Sequence, residues 1–435
     1  MAIRIIESTE PLKDPAVLAV RDRLRGGPAG ADVAAAVRRI IEDVAARGDA
    51  ALVELTAKFD GAEVSTDALR VSRERIAEAH QSADPAFLEL VRRVAGNIRK
   101  YQESILIEAP APLRRGGREL AVRYTPVDRV GLYVPGMRAL YPSTVLMTAV
   151  PAQVAGVKEI AMVSPPTGGD VNAMVLALAG ELGITEVYRA GGAQAVAALA
   201  LGTESIRKVD KIVGPGNRYV AEAKRQLFGR VGIDTIAGPS EVLIIADDTA
   251  PPGLIAADML AQAEHDPGSA VLVTPSAKFA REVAAEIQAM LGGLERANAI
   301  RAALDDYSAI IIVDDMATAC EVANDFAAEH VQIMTSDDAG MLKRIRNAGA
   351  IFVGRDSPVA LGDYLAGPSH VLPTGGAARF SGPLSCNEFL KASSIVTYDK
   401  ASLAEDADDV IEFATREGLT AHAAAVKIRN PKTET

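Results

Sequence analysis

Apolar residues in the first hundred positions recur at three- and four-residue spacing. Val33, Val37, Ile40, Ile41 and Val44 form one such stripe, the mark of a helix with a single buried face. Arg47-Gly48-Asp49 breaks it, and Ala51, Leu52 and Leu55 open a second helix. A longer helix is predicted from Pro85 to Ser104, with its charges outward. These helices carry no chemistry of their own, and their expected role is scaffold or subunit contact.

From about Asp128 short apolar runs alternate with helical stretches. The runs are Val130–Val134, Glu159–Val163, Val187–Ala190, Lys211–Val213, Val242–Ala246, Ala270–Val273, Ile310–Val313, Val331–Met334 and Ile351–Val353. Most are followed by Gly, Pro or Ser and then by a helical pattern, which predicts parallel strands covered by helices. Nine strands exceed one mononucleotide-binding half, so two related α/β modules are expected. Gly354 to Gly376 is a long segment rich in Gly and Pro that holds Asp363, Tyr364 and His370. Structureless loops beyond ~12–15 residues are usually functional or disordered, and this one, not being low-complexity, reads as functional. Helix returns from about Ser402 to Arg429, and Asn430 to Thr435 is expected to fray. Ala139 to Val157 is uncharged and approaches the ~20 residues of a membrane span. Pro142, Pro151, Ser143, Thr144, Thr148 and Gln153 make it instead a buried helix with a proline break.

Composition narrows the class. The 435 residues are 49% hydrophobic and 24% charged, enough for several domains with a substantial core. A net charge of -11 lacks the electrostatic footprint of a nucleic-acid binder. Two isolated cysteines, Cys320 and Cys386, cannot form a disulfide framework or a thiolate zinc site, and suit a reducing compartment. Met1–Thr9 has no secretory pattern. The expectation is a cytoplasmic protein without nucleic-acid or membrane partners.

Histidine is scarce: His80, His265, His330, His370 and His422. A helix starting near Pro252 must stop at Pro267-Gly268. Its inward stripe of Ile255 and Met259 continues through Gln262 to His265 or Asp266, so two polar groups in its last turn could share a ligand. A plain helix end with His265 capping carbonyls is the alternative. Glu329-His330 stands where a helix (Ala317 to Ala328) meets a strand, and could present a carboxylate and an imidazole to one substrate; a solvated helix end is again the alternative. Three glycine turns lie at strand ends, where open α/β sheets bind ligands: Gly131-Leu132-Tyr133-Val134-Pro135-Gly136, Gly191-Gly192-Ala193-Gln194 and Gly214-Pro215-Gly216-Asn217. None is G-x-G-x-x-G, and no G-x-x-x-x-G-K-[ST] loop exists. Ala237-Gly238-Pro239-Ser240-Glu241 reads as another sheet-end turn, with Ser240 a possible donor.

In their order these phrases resemble the histidinol dehydrogenase family from about Val33 to Arg429. Lys208–Asn217, Ala237–Val242, Gln262–Asp266, Glu329-His330, Gly362-Asp363-Tyr364, His370–Thr374 and Leu419-Thr420-Ala421-His422 carry the match beside the glycine turns. The resemblance implies two Rossmann-like parallel-sheet modules lacking GxGxxG, with helical N-terminal and C-terminal segments. It also implies oxidation of L-histidinol to L-histidine through the aldehyde, with two NAD reduced. It assigns Gln262, His265, Asp363 and His422 to a metal, usually zinc and one per subunit, with His422 contributed across a homodimer interface. Glu329 and His330 become the proton carriers, Ser240, His370 and Glu417 the substrate contacts, and Tyr133, Gln194 and Asn217 the NAD contacts. Met137, where many relatives have Gly, and Ser369, where most have Asn, depart from the pattern. The expected organisation is an arm (1–24), a first α/β module (25–128 with 239–376), an NAD-side module (129–238) and a dimerisation segment (377–435). A same-family enzyme for another alcohol, such as a sulfopropanediol, is the nearest alternative. A metallo-hydrolase and a non-catalytic α/β binding protein are the alternatives of other classes.

Overall fold

The computed structural model describes residues 3–25, 30–136, 141–265 and 268–430, so Met137 lies outside the described residues. The chain forms two compact units, Met1–Ile105 with Asp128–Glu388, and Leu106–Val127 with Phe389–Thr435.

All nine expected strands are present within two residues of their expected bounds. They build two parallel sheets in the larger unit. The five-stranded sheet runs Val187–Arg189, Glu159–Ser164, Arg129–Tyr133, Lys211–Val213, Gly232–Ile233. The six-stranded sheet runs Ile5–Glu7, Ala309–Ile312, Gly268–Thr274, Ser240–Ala246, His330–Met334, Ala350–Val353. Leaving the edge strand Ile5–Glu7 aside, each sheet has the same order of chain appearance, third, second, first, fourth, fifth. That is the doubly wound order, whose direction reverses between the first and fourth strands and opens a crevice there. The central strands Arg129–Tyr133, Gly268–Thr274 and His330–Met334 are buried along their whole length. Helices cover both faces of such sheets, which is why these strands read as unbroken apolar runs.

The helix Ala31–Arg47 buries Val33, Val37, Ile40, Ile41 and Val44, as its stripe predicts. They share a core with Ala195, Leu199, Val220 and Ala223 of the five-stranded module. Grouping 25–128 with the six-stranded module therefore does not match the packing of this helix. Residues 113–126 differ further from expectation. Leu113–Arg115 and Arg118–Pro126 pair antiparallel with each other, and Arg118–Pro126 pairs with Leu390–Tyr398, in the smaller unit. Arg118–Pro126 is mostly half-buried and Leu390–Tyr398 mostly exposed, and both interleave Ser, Thr, Arg, Lys or Glu with their apolar positions, so no hydrophobic period marked them. The expected C-terminal helix is two, Lys400–Arg416 and Thr420–Lys427, separated at Gly418, whose φ is 76°. Among the described residues no helix is long and apolar enough to cross a membrane.

The uncharged run folds as the buried helix Ser143–Val154, with Pro151 in its last turns. Proline has no N–H to give the carbonyl four residues earlier, which here is Met147. The Ser369 hydroxyl fills that place, donating to the Met147 carbonyl at 3.0 Å and accepting from Val371 N at 3.2 Å. The departure from Asn at this position thus keeps a donor where the helix lacks one, and it ties the chain beside His370 to the helix. Ser369→Ala should lower stability by about 1–3 kcal/mol, because a buried carbonyl loses its donor. Ser369→Asn should recover most of that loss in urea unfolding, since its amide also donates.

Candidate active site

The three glycine turns all stand at the C-terminal edge of the five-stranded sheet. Tyr133 and Gly214 end its first and fourth strands, on either side of the reversal point. Gly214 has φ 117°, and a Cβ there would lie 2.1 Å from the Tyr133 carbonyl oxygen, so only glycine fits. A buried ion pair sets this turn. Lys224 Nζ donates to the Gly214 carbonyl and to Asp234 Oδ1, each at 2.6 Å, and Gly214 N donates to Asp234 Oδ2 at 2.7 Å. The Asn217 side chain caps the helix Arg218–Leu227, accepting from Tyr219 N and Val220 N. Its amide N–H groups are what it can offer a ligand. The buried Tyr133 hydroxyl accepts from Gly192 N at 3.0 Å. Gln194 is also buried, and among the described residues its Nε2 has no hydrogen-bond partner.

Asp60 joins this group, although no feature of the sequence singled it out. It ends the helix Asp49–Asp60, accepts from the Gly191 backbone and keeps a buried oxygen, Oδ2, without a partner among the described residues. Burial pushes its carboxyl up to about 6.

The polar cluster of the six-stranded sheet sits at the opposite, N-terminal edge of its strands. Ser240 opens the strand Ser240–Ala246, and His330 opens the neighbouring strand His330–Met334. The turn at 237–241 therefore leads into a strand rather than out of one. The helix Pro252–Ala263 runs back along the sheet, which returns Gln262 and His265 to this same edge. Ala327 adopts a left-handed φ of 52° that ends the helix Met316–Phe326 and turns Glu329 inward.

A short relay results. Gln262 Nε2 donates to Ser240 Oγ at 2.8 Å, and Ser240 Oγ donates to Glu329 Oε2 at 2.6 Å. Glu241 N donates to the same Glu329 oxygen at 2.9 Å. The His330 Nδ1–H points at the Glu241 carbonyl, 3.0 Å away. A carbonyl can only accept, so the proton of the neutral ring sits on Nδ1 and Nε2 carries the free lone pair. Asp363 Oδ1, on the helix Val359–Tyr364, is 3.9 Å from that Nε2. His370 Nδ1 faces the Asp363 carbonyl at 3.1 Å, and its Nε2 lies 3.3 Å from Thr144 Oγ1. Thr144 is in the first turn after the 141–142 loop of the five-stranded module. His370 thus stands where the two sheet edges meet.

Burial sets the charges here. It pushes the Glu329 and Glu241 carboxyls well above the usual carboxylate range, Glu241 further because Glu329 faces it. It holds the His330 and His265 imidazoles below their usual value and His370 down at about 4. At neutral pH the histidines are neutral proton acceptors, and Glu329 is a carboxyl poised to exchange a proton.

Gln262, His265 and Asp363 surround the Glu329–His330 pair, and they provide an oxygen, a nitrogen and an oxygen donor. That set suits a borderline divalent cation such as zinc. Among the described residues no three His, Cys, Asp or Glu side chains gather as metal ligands. Glu417 and His422 belong to the smaller unit, both exposed, on either side of the break at Gly418. Glu241 and Thr144 are site neighbours that the sequence reading did not select. Glu241 lay inside the quoted Ala237–Val242 phrase, and its position at a strand start beside a turn was the available signal.

Two Rossmann-like sheets, one of them carrying a buried carboxylate–imidazole pair at its edge, define an α/β enzyme. The histidinol dehydrogenase family model matches residues 25–430. Histidinol dehydrogenase from Geobacillus kaustophilus is 50% identical over 401 residues, 92% of this chain and 94% of that protein. The one from Rhodopirellula baltica is 50% identical over 394 residues, 90% and 86% of the two chains. The crystal structure of histidinol dehydrogenase from Elizabethkingia anophelis has a TM-score of 0.91 at 33% identity, covering 98% of both chains. The chain belongs to the histidinol dehydrogenase family.

Asp60 yields a prediction for the protein without nucleotide. Its folded-state value of about 6 lies above the usual 3.8, so the folded state holds the proton more tightly. The associated stability is full below pH 3.8 and is lost as pH rises through 6. Asp60→Asn should therefore gain melting temperature relative to wild type between pH 4 and pH 7. A difference that stays flat over that range rules out the buried, raised carboxyl.

Proposed function

We propose that this enzyme oxidises L-histidinol to L-histidine through the aldehyde, in two hydride transfers to NAD. The observation that carries the reading is the relay Gln262–Ser240–Glu329 beside the free Nε2 of His330, in a chain of this family. Bound NAD supplies the hydride acceptor; Tyr133, Gln194 and Asn217 are its proposed contacts, and the unpartnered Gln194 Nε2 is the feature that favours a ligand there. A bound zinc ion supplies a fixed positive charge that orients the substrate's nitrogens, held by Gln262, His265, Asp363 and His422 of the partner subunit.

The chain's own groups move the protons. His330 Nε2 takes the hydroxyl proton while the hydride leaves the same carbon, which gives the aldehyde. Asp363 Oδ1 and Glu329 Oε2, 3.9 Å and 3.6 Å from the ring nitrogens, balance the imidazolium that forms. Glu329 then takes a proton from the water that adds to the aldehyde. After His330 has released its proton to solvent, it accepts the second hydroxyl proton as the second hydride departs. One water is consumed, and two hydrides and three protons leave. Ser240 and His370 are placed to hold the substrate, and the carboxylate of Glu417 suits a cationic amino alcohol.

A homodimer is part of this proposal. The smaller unit leaves Val396 66%, Phe413 68% and Ile428 82% exposed, apolar area that a second copy would remove from water. Histidine biosynthesis in the cytoplasm is the setting the reading implies.

Purified enzyme with histidinol and NAD should produce two NADH per histidine. Rapid turnover of another alcohol, such as a sulfopropanediol, with negligible histidinol oxidation would replace the substrate and keep the chemistry. His330→Asn should slow both oxidations by ~10²–10⁴-fold, the usual worth of a positioned proton carrier. Glu329→Gln should slow mainly the second oxidation, so that aldehyde accumulates in quenched samples. Equal losses in both steps would remove the water-activating role of Glu329. His422→Ala should lower the metal retained per chain after dialysis.

A further inference from the structure

Glu241 is a buried carboxyl with no part in the steps above. It lies directly behind the two groups that carry them, and three of its polar groups touch them. Its N–H donates to Glu329 Oε2 at 2.9 Å, and its carbonyl faces His330 Nδ1 at 3.0 Å. Its side-chain Oε1 accepts from Glu329 N at 3.2 Å and from Gly375 N at 3.0 Å. The clasp is reciprocal: each glutamate's carboxyl accepts the other's backbone N–H.

We propose that Glu241 is a positioning residue, whose side chain fixes the Glu329 backbone and the Gly375 turn and so sets the aim of Glu329 and the tautomer of His330. The strand register pairs His330 with Val242, and Ala350 N donates to the Glu329 carbonyl at 2.8 Å, but neither gives the Glu329 N–H an acceptor. The Glu241 carboxyl closes that gap. Without it, two N–H groups lose their acceptor beside the working pair, and the Glu329 backbone is held on its carbonyl side only. Burial and the facing Glu329 keep the Glu241 carboxyl protonated at neutral pH, so a glutamine is its close neutral mimic.

The proposal rests on the reaction read above, and its test includes a measurement that does not. Glu241→Gln keeps an acceptor oxygen and should hold kcat within about fivefold of wild type. Glu241→Ala should lose kcat by about 100-fold with KM for histidinol changed less than threefold, the scale expected of misplaced catalytic groups. Should the alanine variant fail to fold, Glu241→Asp, which withdraws the acceptor by one methylene, takes its place with the same expectation. Nitrogen-15 NMR of the histidine rings, recorded without substrate, should show His330 wholly Nδ1-protonated in wild type and Glu241→Gln, and a tautomer mixture in the alanine or aspartate variant. A kcat within threefold of wild type for that variant overturns the clasp, as does an unchanged His330 tautomer. A glutamine variant as impaired as alanine also overturns it. If wild type makes no NADH from histidinol, the reaction reading fails, and the tautomer comparison still decides the role of Glu241.

Discussion

A buried carboxyl must either find donors or take up a proton, and the working edge of this enzyme is organised by that constraint. Glu329 finds its donors in Ser240 Oγ and Glu241 N, both at the start of the adjacent strand. The Ser240 donor is itself oriented by Gln262, the last inward residue of the returning helix. Two strands and a helix must therefore end at the same depth before one carboxyl can be accommodated. The parallel sheet guarantees this, because its registers place Gly268 beside Ser240 and His330 beside Val242.

The two sheets share one winding order but contribute opposite edges. The five-stranded sheet offers the C-terminal ends of its strands, with glycine turns and helix starts, where doubly wound sheets commonly take nucleotides. The six-stranded sheet offers the N-terminal ends, where the preceding helices finish and their last inward residues project. Such an edge is poor in helix N-termini and suits a cluster built from side chains. The glycine turns thus belong to one module and the Glu329–His330 cluster to the other. His370, between the Asp363 carbonyl and Thr144, ties them together.

Periodicity exposed the helices Ala31–Arg47 and Pro85–Ile105 and the nine parallel strands, because each buries a face or a whole run. It was blind to Arg118–Pro126 and Leu390–Tyr398, which pair with each other, one mostly half-buried and the other mostly exposed. Lys224 and Asp234 were hidden for another reason. A buried ion pair formed across a turn leaves two ordinary charged residues in the sequence. Glu329-His330 and Gln262 drew notice because polar residues interrupted apolar lines. Glu241, flanked by a turn and a strand, did so only as part of a phrase. What the local pattern could not convey was that these residues lie on one edge, since that depends on strand order.

The loop 365–376 is fastened at both ends by polar contacts that lie outside the Glu329–His330 cluster. Pro151 deprives the Met147 carbonyl of its helical donor, and the Ser369 hydroxyl replaces it. One residue on, His370 reaches Thr144 on the same helix, and five residues further the Gly375 N–H meets Glu241 Oε1. The loop is thus fastened to the five-stranded module at one end and to the carboxyl behind Glu329 at the other. The helix Ser143–Val154 is thereby linked to the Glu329–His330 pair through the chain from Ser369 to Gly375 and the hydrogen bonds at its two ends. Fastening of this kind fixes the position of His370 relative to the Glu329–His330 pair, because one short stretch of chain carries both attachments.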